Sequence, residues 1–392
     1  MAEERKQPEL RFKGFTDDWI QDKLGDLAEI TMGQSPSGST YSEIPSKYIL
    51  VQGNADLNNG VVVPRIWTTE VTKMAQKGDI IITVRAPVGE IAKLDYNVVI
   101  GRGVAAIKGS HFILHWLNFM RIKGYWKKFS SGSTFDSINS NDLKGAFIIH
   151  PEDEKERNRI SYFLTTLSKI ITLEQQKIEK LELLKQYLLQ NMFADKDRNP
   201  NLRFNNFEEE WIQDKLGNLS NCFSGGTPNS NNKAYYQGDI PFIRSGEINA
   251  NSTELYISEN AVKESSAKII NKGDLLFALY GATSGEVAIS KIGGAINQAI
   301  LVIFPNNDID RNFLKYYLEL NKNKILSTYL QGGQGNLSGK IVKNILIKFP
   351  SKQNQIEIKN LLLKLDNIII LEQSKLEKYQ DIKNKLLQSL FI

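Results

Sequence analysis

Cysteine and histidine are scarce in this sequence, and their scarcity excludes several kinds of site. The 392 residues include one cysteine, Cys222, and three histidines. One thiol forms neither an intrachain disulfide nor a cysteine-based zinc site. His111 and His115 are four residues apart on one face of a predicted helix, but no third ligand follows in the metalloprotease pattern. We therefore interpret both as packing or capping residues and predict no metal site.

Long apolar runs and a strong charge excess are also missing. No apolar run approaches the roughly 18 residues that a membrane span needs, and the first ten residues are polar and charged. These features predict that the protein does not contact a membrane. They also predict a cytoplasmic location. The formal net charge is +5, and no region is strongly basic. Nucleic-acid binding is therefore permitted by charge, but it needs local patches.

The sequence does contain an internal repeat. A segment that we call the opening motif, LRFKGFTDDWIQDKLGD at residues 10–26, returns as LRFNNFEEEWIQDKLGN at residues 202–218, with 11 of 17 positions identical. Three later features recur in the same order: Lys77–Ala92 with Lys272–Ala288, Pro151 with Pro350, and Leu173–Phe193 with Leu371–Phe391. The spacing drifts by a few residues, as two copies of one fold do when their loops differ in length.

Each copy predicts an α+β domain. Short β-rich runs such as residues 60–67, 79–86 and 274–281 are punctuated by Gly, Asn, Ser and Pro. A helical piece follows, HFILHWLNFMRI in the first copy and RNFLKYYLELNKN in the second. We expect a curved, mostly antiparallel sheet, with Trp19 and Trp211 of the opening motifs anchoring the two cores.

A long helical segment closes each copy. Gly and Pro are absent between Pro151 and Pro200 and after Pro350. We expect a break near Ser168 and Asp366, which are good N-caps. An apolar stripe then follows in both copies. We expect it to pair with its twin, the alternative being that each helix packs on its own domain. The predicted packing residues are Ile171, Ile178, Leu181, Leu184, Leu188, Ile369, Leu376, Tyr379, Ile382 and Leu386.

The predicted organisation is two domains, residues 1–151 and 200–350, each followed by a spacer helix region, residues 152–199 and 351–392. A helix from Ser168 to Phe193 is about 39 Å long at ~1.5 Å per residue. One turn of B-DNA is roughly 34–36 Å. Paired antiparallel helices would then hold two domains about one turn apart, with an approximate two-fold axis. The same cyclic order predicts that Phe391 lies close to Leu10.

These motifs resemble the specificity subunit of type I restriction–modification systems. The resemblance rests on the opening motif, the GQSP and GGTP loops after it, the closing Pro and the LEQ-x-K-(I/L)-EK helices. These motifs occur twice in the same order, and together they cover residues 10–392. It implies two tandem homologous target recognition domains separated by two long antiparallel coiled-coil helices with pseudo-two-fold symmetry. Each domain would read half of a bipartite site in double-stranded DNA.

The resemblance also implies partners that carry the chemistry. The spacer would dock two methyltransferase subunits and, through them, restriction subunits, which use S-adenosylmethionine, ATP and Mg²⁺. No cofactor is expected in this chain. The sequence has no G-x-x-x-x-G-K-[ST] phosphate loop, no Asn/Asp-Pro-Pro-aromatic motif and no glycine fingerprint after a strand. We therefore expect a non-catalytic recognition subunit.

Polar and basic loops at matching places are the candidate DNA contacts. Small polar residues let the backbone approach DNA, Gln and Asn can pair with adenine, and Arg can pair with guanine or a phosphate. Plain turns and core packing are the competing readings, and we favour packing for Tyr125, Trp126, Tyr316 and Tyr317. The candidates are Gln34, Ser35, Ser37, Arg85, Arg102, Lys123, Lys127, Lys128, Ser133 and Thr134 in the first copy, and Thr227, Asn229, Arg244, Ser245, Lys322, Gln331, Gln334 and Asn336 in the second.

Two other functions stay open at this point. One is a protein–protein adaptor whose two domains grip partners along a coiled-coil scaffold, which the modest net charge permits. The other is a self-contained DNA enzyme with an unfamiliar active site, which the missing motifs disfavour. Because the shared framework carries different loops, two DNA-binding domains should read different half-sites.

Overall fold

The opening motif forms the same local structure in both copies. The computed structural model describes residues 7–58, 60–129, 137–194, 199–329 and 336–392. In the first copy, β1 (Ile20–Lys23) pairs antiparallel with β13 (Phe147–His150), the strand that ends before Pro151. In the second copy, β14 (Ile212–Lys215) pairs in the same way with β23 (Leu346–Phe349). The motif therefore joins the start of each domain to its end.

The first copy contains short strands followed by helices. The strands between β1 and β13 are β2 (Glu29–Met32), β3 (Tyr41–Ser42), β4 (Tyr48–Val51), β5 (Leu57–Asn58), β6 (Val61–Val62), β7 (Ile66–Thr68), β8 (Met74–Ala75), β9 (Ile80–Thr83), β10 (Ile91–Lys93), β11 (Val98–Ile100) and β12 (Val104–Lys108). The helices are α1 (Leu24–Leu27), α2 (His111–Ile122), α3 (Ser140–Lys144) and α4 (Glu154–Met192). Short 3₁₀ helices span Gly38–Thr40, Asn54–Asp56 and Tyr125–Phe129.

The second copy repeats this order. The strands between β14 and β23 are β15 (Ser220–Ser224), β16 (Ile240–Ile243), β17 (Tyr256–Ile257), β18 (Lys268–Ile270), β19 (Leu275–Ala278), β20 (Val287–Ile289), β21 (Gly294–Ile296) and β22 (Ile300–Pro305). The helices are α5 (Leu216–Leu219), α6 (Glu259–Lys263), α7 (Arg311–Leu320), α8 (Lys322–Tyr329), α9 (Gly339–Lys343) and α10 (Lys352–Leu390). Short 3₁₀ helices span Lys233–Tyr236, Ser245–Glu247 and Gly281–Thr283.

The α+β class is confirmed, but the expectation of one curved sheet per domain is wrong. Besides β1–β13, the first domain has a sheet of order β2-β12-β9-β10-β6-β5 and another of order β3-β7-β4-β11-β8. The second domain has sheets of order β15-β22-β19-β20 and β17-β16-β21-β18. Most pairs are antiparallel, while β4–β11, β6–β10 and β16–β21 are parallel. The run at residues 60–67 divides because residues 63–65, including Pro64, separate β6 from β7.

Two compact units emerge, and neither is a simple half of the sequence. Unit 1 contains residues 1–176 and 373–392, and unit 2 contains residues 177–372. Each unit therefore holds one domain, the half of its own long helix that lies next to the domain, and the far end of the other long helix. The domain boundaries expected from the sequence remain a prediction.

The end of each long helix completes a domain core. In unit 1, Phe391 lies among aromatic rings with centroids 5.3–6.3 Å away, those of Trp19, Phe112, Trp116 and Phe119. In unit 2, Phe193 lies 5.0–6.3 Å from the rings of Trp211, Phe313 and Tyr317. Trp19 and Trp211 are 4% and 3% exposed, which confirms them as core anchors.

The predicted cyclic closure is confirmed by hydrogen bonds. The Leu10 N–H donates to the Ser389 carbonyl over 2.9 Å within unit 1. The Leu202 N–H donates to the Asn191 carbonyl over 2.8 Å within unit 2. Each opening motif therefore begins against the end of a long helix, and in the first copy that helix comes from the far end of the chain.

The long helices pair antiparallel inside each unit. Glu174 and Lys375 form an ion pair of 2.7 Å in unit 1, and Lys185 and Asp366 form one of 2.6 Å in unit 2. Ile171, Ile178 and Ile369 are buried by 91% or more. Two predicted packing residues differ, because Leu184 and Ile382 each keep 46% of their surface exposed and lie outside the buried seam. The remaining five, Leu181, Leu188, Leu376, Tyr379 and Leu386, are partly buried.

The expected break near Ser168 and Asp366 is absent, and both helices continue for 39 residues. The Ser168 hydroxyl donates to the Leu164 carbonyl over 2.8 Å, which satisfies it inside a continuous helix rather than at a cap. Asp366 accepts hydrogen bonds from two side chains of unit 2. A bond within its own helix for Ser168 and tertiary partners for Asp366 thus replace the capping role that the residue types suggested. No described helix is long and apolar enough to cross a membrane.

His115 links α2 to α4, and its surroundings disfavour protonation of its ring. The ring is 3% exposed, and its Nε2 lies 3.0 Å from the Thr165 hydroxyl. Burial, followed by the nearby positive charges of Lys383, His111 and Lys93, lowers the pKa of His115 to about 3. The ring is therefore neutral in the folded protein at pH 7.

We predict that unit 1 loses stability as pH falls from 7 to 5, because the unfolded chain binds a proton at His115 near pH 6.5 and the folded chain does not. The loss should be about 2 kcal/mol at pH 5. His115→Gln, which cannot titrate, should lack this component when unfolding is followed in denaturant at both pH values. Equal pH dependence in the two proteins would contradict the assignment.

Candidate nucleic-acid interface

Three residues predicted from separate loops meet in one cleft of the first domain. Ser35, Arg85 and Arg102 line a concave surface of about 410 Å³, which we call the first cleft. Its other lining residues come mainly from the ends of β4 and β11, and they are Tyr41, Gln52, Gly53, Asn54, Ala86 and Gly103. The lining contains no carboxylate, so the cleft is cationic.

Glycines allow the loops of the first cleft to approach each other. A Cβ at Gly33 would lie 2.1 Å from the Gly101 carbonyl oxygen, and one at Gly103 would lie 2.0 Å from the Gln52 carbonyl oxygen. Any side chain at these positions would therefore displace backbone. The Gly33 N–H donates to the Val104 carbonyl over 3.0 Å, and the Gln34 N–H donates to the Ile100 carbonyl over 2.9 Å. The loop after the opening motif is fixed on the end of β11 by these bonds.

Ser35 and Arg102 contact each other directly. The Ser35 hydroxyl accepts from the Arg102 backbone N–H over 3.1 Å and from its side-chain Nε over 3.4 Å. Neither Arg85 nor Arg102 forms an ion pair with a described residue, so the guanidinium groups keep donors for a ligand. Arg85 is exposed, and its backbone bridges to Ser137.

The second domain has a different pair at the same place. The parallel pairings align Val51 with Ile243 and Ile100 with Ile296, so Arg102 and Gln298 both follow the equivalent strand by two residues. The Thr227 hydroxyl donates to the Gln298 side-chain oxygen. Thr227 is the counterpart of Ser35 in the repeat. A hydroxyl–guanidinium pair in one domain is therefore a hydroxyl–amide pair in the other.

Two further cleft positions also differ between the copies. Arg85 follows the end of β9 by two residues, and Tyr280 follows the end of β19 in the same way. Gln52 directly follows β4, and Arg244 directly follows β16. The second domain therefore presents an aromatic ring where the first presents a cation, and a cation where the first presents an amide.

Arg244 is less available than its sequence context suggested. Its guanidinium bonds Glu247 over 2.9 and 3.1 Å and Glu254 over 2.7 Å. Burial alone would raise the pKa of Glu247, but hydrogen bonds from Arg244 outweigh burial and lower it to about 2. Glu247 thus stays ionised and holds Arg244. The side chain keeps 41% of its surface exposed, and its DNA contact remains a prediction.

The predicted lysines lie outside the first cleft. Lys123, Lys127 and Lys128 are exposed on the segment that follows α2, and the Lys128 ammonium lies 3.6 Å from the centroid of the Tyr125 ring. Lys322 pairs with Glu286 over 3.5 Å. Trp126, Tyr316 and Tyr317 are buried, as the packing interpretation predicted, and Tyr125 is partly buried.

The other predicted contacts are spread over both domains. Gln34 and Ser37 are exposed, and the Ser37 N–H donates to Glu70 over 2.8 Å. The Asn229 side chain accepts from the Asn231 N–H over 3.0 Å, and Ser245 begins a 3₁₀ helix. Asn336 is exposed. Ser133, Thr134, Gln331 and Gln334 fall outside the described residues.

Sequence reasoning missed four residues of these surfaces, Gln52, Asn54, Tyr280 and Gln298. Each lies within three residues of the end of a strand that is paired equivalently in both copies. Alignment of the repeat through β4, β9 and β11 would have found them. No group of three or more potential metal-ligating side chains occurs among the described residues.

The chain matches a known family over most of its length. The sequence model of the type I restriction modification DNA specificity domain matches residues 16–183 and again residues 208–380. The putative type I restriction enzyme MjaX specificity subunit of Methanocaldococcus jannaschii is 29% identical over 190 residues, which are 46% of this chain and 44% of that protein. The MjaIX specificity subunit of the same organism is 32% identical over 196 residues, 47% of this chain and 44% of that protein.

A further relative is the EcoR124I/EcoR124II specificity subunit of Escherichia coli, 26% identical over 201 residues, 46% of this chain and 49% of that protein. The chain thus spans about half the length of the curated relatives it matches. The crystal structure of a type I restriction–modification S subunit from M. genitalium has a TM-score of 0.67 at 17% identity and covers 98% of this chain and 99% of that one.

A second solved chain comes from a study of complex assembly and conformational transition of the type I system. It has a TM-score of 0.57 at 18% identity and covers 95% of this chain and 97% of that one. These two structures share the fold. The double match of the family model covers well over half of the sequence, and the chain therefore belongs to the type I restriction modification DNA specificity domain family, of which it carries two copies.

Proposed function

We propose that this chain is the DNA-recognition subunit of a type I restriction–modification enzyme and that each unit reads one half of a bipartite target. One observation carries the proposal: the same framework presents different polar pairs at the same place, Ser35–Arg102 in the first domain and Thr227–Gln298 in the second. A shared framework with divergent contact residues is what two half-sites of different sequence require. Membership of a DNA specificity domain family supports DNA as the bound molecule, and we propose that this DNA is double-stranded.

The chemistry of the pairs suits base reading. A guanidinium donates two parallel hydrogen bonds to O6 and N7 of guanine, and an amide pairs with N6 and N7 of adenine. Arg85 and Arg102 have no carboxylate partner among the described residues, so the first cleft favours guanine or a phosphate. Gln298 with Tyr280 offers an amide and a ring in the second domain. The exposed lysines after α2 suit phosphate contacts.

Other chains would supply the chemistry. We propose two methyltransferase subunits that dock on the spacer helices, restriction subunits that join through them, and S-adenosylmethionine, ATP and Mg²⁺ bound by those partners. The helices support docking because Leu173 and Leu371, equivalent in the repeat, are 54% and 68% exposed. We further propose recognition domains at residues 1–151 and 200–350, spacer regions at residues 152–199 and 351–392, and a cytoplasmic location.

We predict two short methylated motifs at one fixed spacing when the chain is co-expressed with the methyltransferase subunit of its own system. Methylated adenines would be mapped across the genome of the host. The same methyltransferase without this chain is the control and should give no such pattern. Methylation at no sequence would reject DNA recognition and favour the protein–protein adaptor.

We predict that Arg102→Ala relaxes one half-site and leaves the other unchanged. Loss of a bidentate base contact costs about 1–3 kcal/mol, roughly 5- to 150-fold in discrimination at one position. Gln298→Ala should relax the opposite half-site. Competition binding by the assembled methyltransferase, with each half-site randomised in turn, measures both effects.

Lys47→Ala provides the matched control, since it removes an exposed charge of the first domain outside the cleft. It should change affinity for all sequences alike. Equal effects of Arg102→Ala on both half-sites, or none on either, would contradict the assignment of the first cleft.

A further inference from the structure

Unit 1 contains a polar cavity where α2 meets the two long helices. Its volume is about 350 Å³, and we call it the junction cavity. Polar lining residues that matter here are Glu90, Asn118, Arg121, Ser168, Gln380 and Lys383. None of them belongs to the first cleft, so this feature is separate from the proposed DNA contacts.

The junction cavity holds an ammonium group without a counter-charge. Lys383 is partly buried, and it has no ion pair or hydrogen bond with a described residue. Burial and then the Arg121 charge lower its pKa. The one carboxylate in the lining, Glu90, already pairs with Arg121 over 3.3 Å. The neighbouring His115 cannot carry a negative charge, so no lining group other than the engaged Glu90 can balance Lys383.

Unit 2 shows how the same arrangement is balanced. The repeat equates Lys383 with Lys185 and Ser168 with Asp366, both at a spacing of 198. Lys185 pairs with Asp366 Oδ1 over 2.6 Å, and the Tyr316 hydroxyl donates to Asp366 Oδ2 over 2.6 Å. A carboxylate therefore sits between two partners in unit 2.

Two more contacts anchor this alignment. Phe112 and Phe313 both lie against a helix-end phenylalanine, at 5.3 and 5.0 Å between centroids, and His115 and Tyr316 each follow by three residues. Arg121 pairs with Glu90 in unit 1, as Lys322 pairs with Glu286 in unit 2. Three lining positions of unit 1, Ser168, Asn118 and Gln380, are uncharged where the repeat places the carboxylates Asp366, Glu319 and Glu182 in unit 2. Of these, Asp366 is the carboxylate that pairs with Lys185, the equivalent of Lys383.

We infer that the junction cavity of unit 1 binds a small oxyanion, a carboxylate or a phosphate, which takes the place that the Asp366 carboxylate occupies in unit 2. Lys383 supplies the balancing charge, and side-chain amides such as those of Asn118 and Gln380 supply hydrogen bonds. The Ser168 hydroxyl is not a donor to the anion, because its proton bonds the Leu164 carbonyl. Its contribution is the space that a carboxylate would fill.

Thermal unfolding of the full chain tests this inference at equal ionic strength in chloride, acetate and phosphate. Tryptophan fluorescence reports mainly on unit 1, which holds Trp19, Trp67, Trp116 and Trp126, whereas unit 2 holds Trp211. An anion tenfold above its dissociation constant should raise the midpoint by about 3–5 °C over chloride. A response to acetate but not phosphate identifies a carboxylate, and the reverse identifies a phosphate.

Variants separate site binding from the general stabilising effect of phosphate on proteins. Ser168→Asp should raise the midpoint in chloride and abolish the anion response, because it rebuilds the arrangement of unit 2. Lys383→Gln should also abolish the anion response, because it removes the positive charge and does not depend on a new contact being formed. Asp366→Ser, which removes the partner of Lys185 in unit 2, should add a response in the environment of Trp211.

An anion response of equal size in the wild type and Lys383→Gln would overturn the inference, as would no response in the wild type. If Ser168→Asp does not fold, Lys383→Gln still decides the matter. The readout involves no DNA, so its failure would leave the proposed recognition function untouched.

Discussion

Each domain core depends on a helix end that arrives from the other copy of the repeat. The helix that follows the second domain places Phe391 among four aromatic side chains of unit 1, and the helix that follows the first places Phe193 among three aromatic side chains of unit 2. A buried aromatic ring of this kind contributes about 3–5 kcal/mol. Neither domain completes its core within its own copy of the repeat.

This reciprocal arrangement explains why the opening motif is written twice. The motif places a tryptophan on the arriving phenylalanine, hydrogen-bonds the end of the same helix and pairs its strand with the strand that ends the domain. The sequence of the motif is therefore constrained by packing and pairing at this joint between helix and domain, and not by a chemical reaction. The cleft loops lie outside that joint, and so they are free to differ between the copies.

Divergence inside a conserved framework is also what links the structure to its proposed function. Ser35–Arg102 and Thr227–Gln298 occupy one position with different hydrogen-bonding capacity. Ser168 and Asp366 diverge in the same way at the helix junction, with a consequence for charge balance instead of base reading. The repeat thus acts as an internal control, because each unit shows what the other lacks.

The sequence predicted the helix at residues 111–122, the core tryptophans and the closure of Leu10 on the end of α10, because apolar periodicity and repetition record those features directly. It also brought Ser35, Arg85 and Arg102 into the set of candidates. It did not predict the division into several sheets, which depends on pairing between distant strands. It missed the pairing of Arg244 with Glu247 and Glu254 and the hydrogen bonds of Ser168 and Asp366 inside continuous helices, since a residue type does not reveal its partners.

Hydrogen exchange of Phe391→Ala and Phe193→Ala tests reciprocal completion most directly. The account predicts that Phe391→Ala lowers the protection of α2 and the β1–β13 pair in unit 1 and leaves α7 in unit 2 unchanged, while Phe193→Ala does the reverse. Loss of protection confined to the domain that precedes the altered helix in the sequence, or equal loss in both units from either variant, would contradict it.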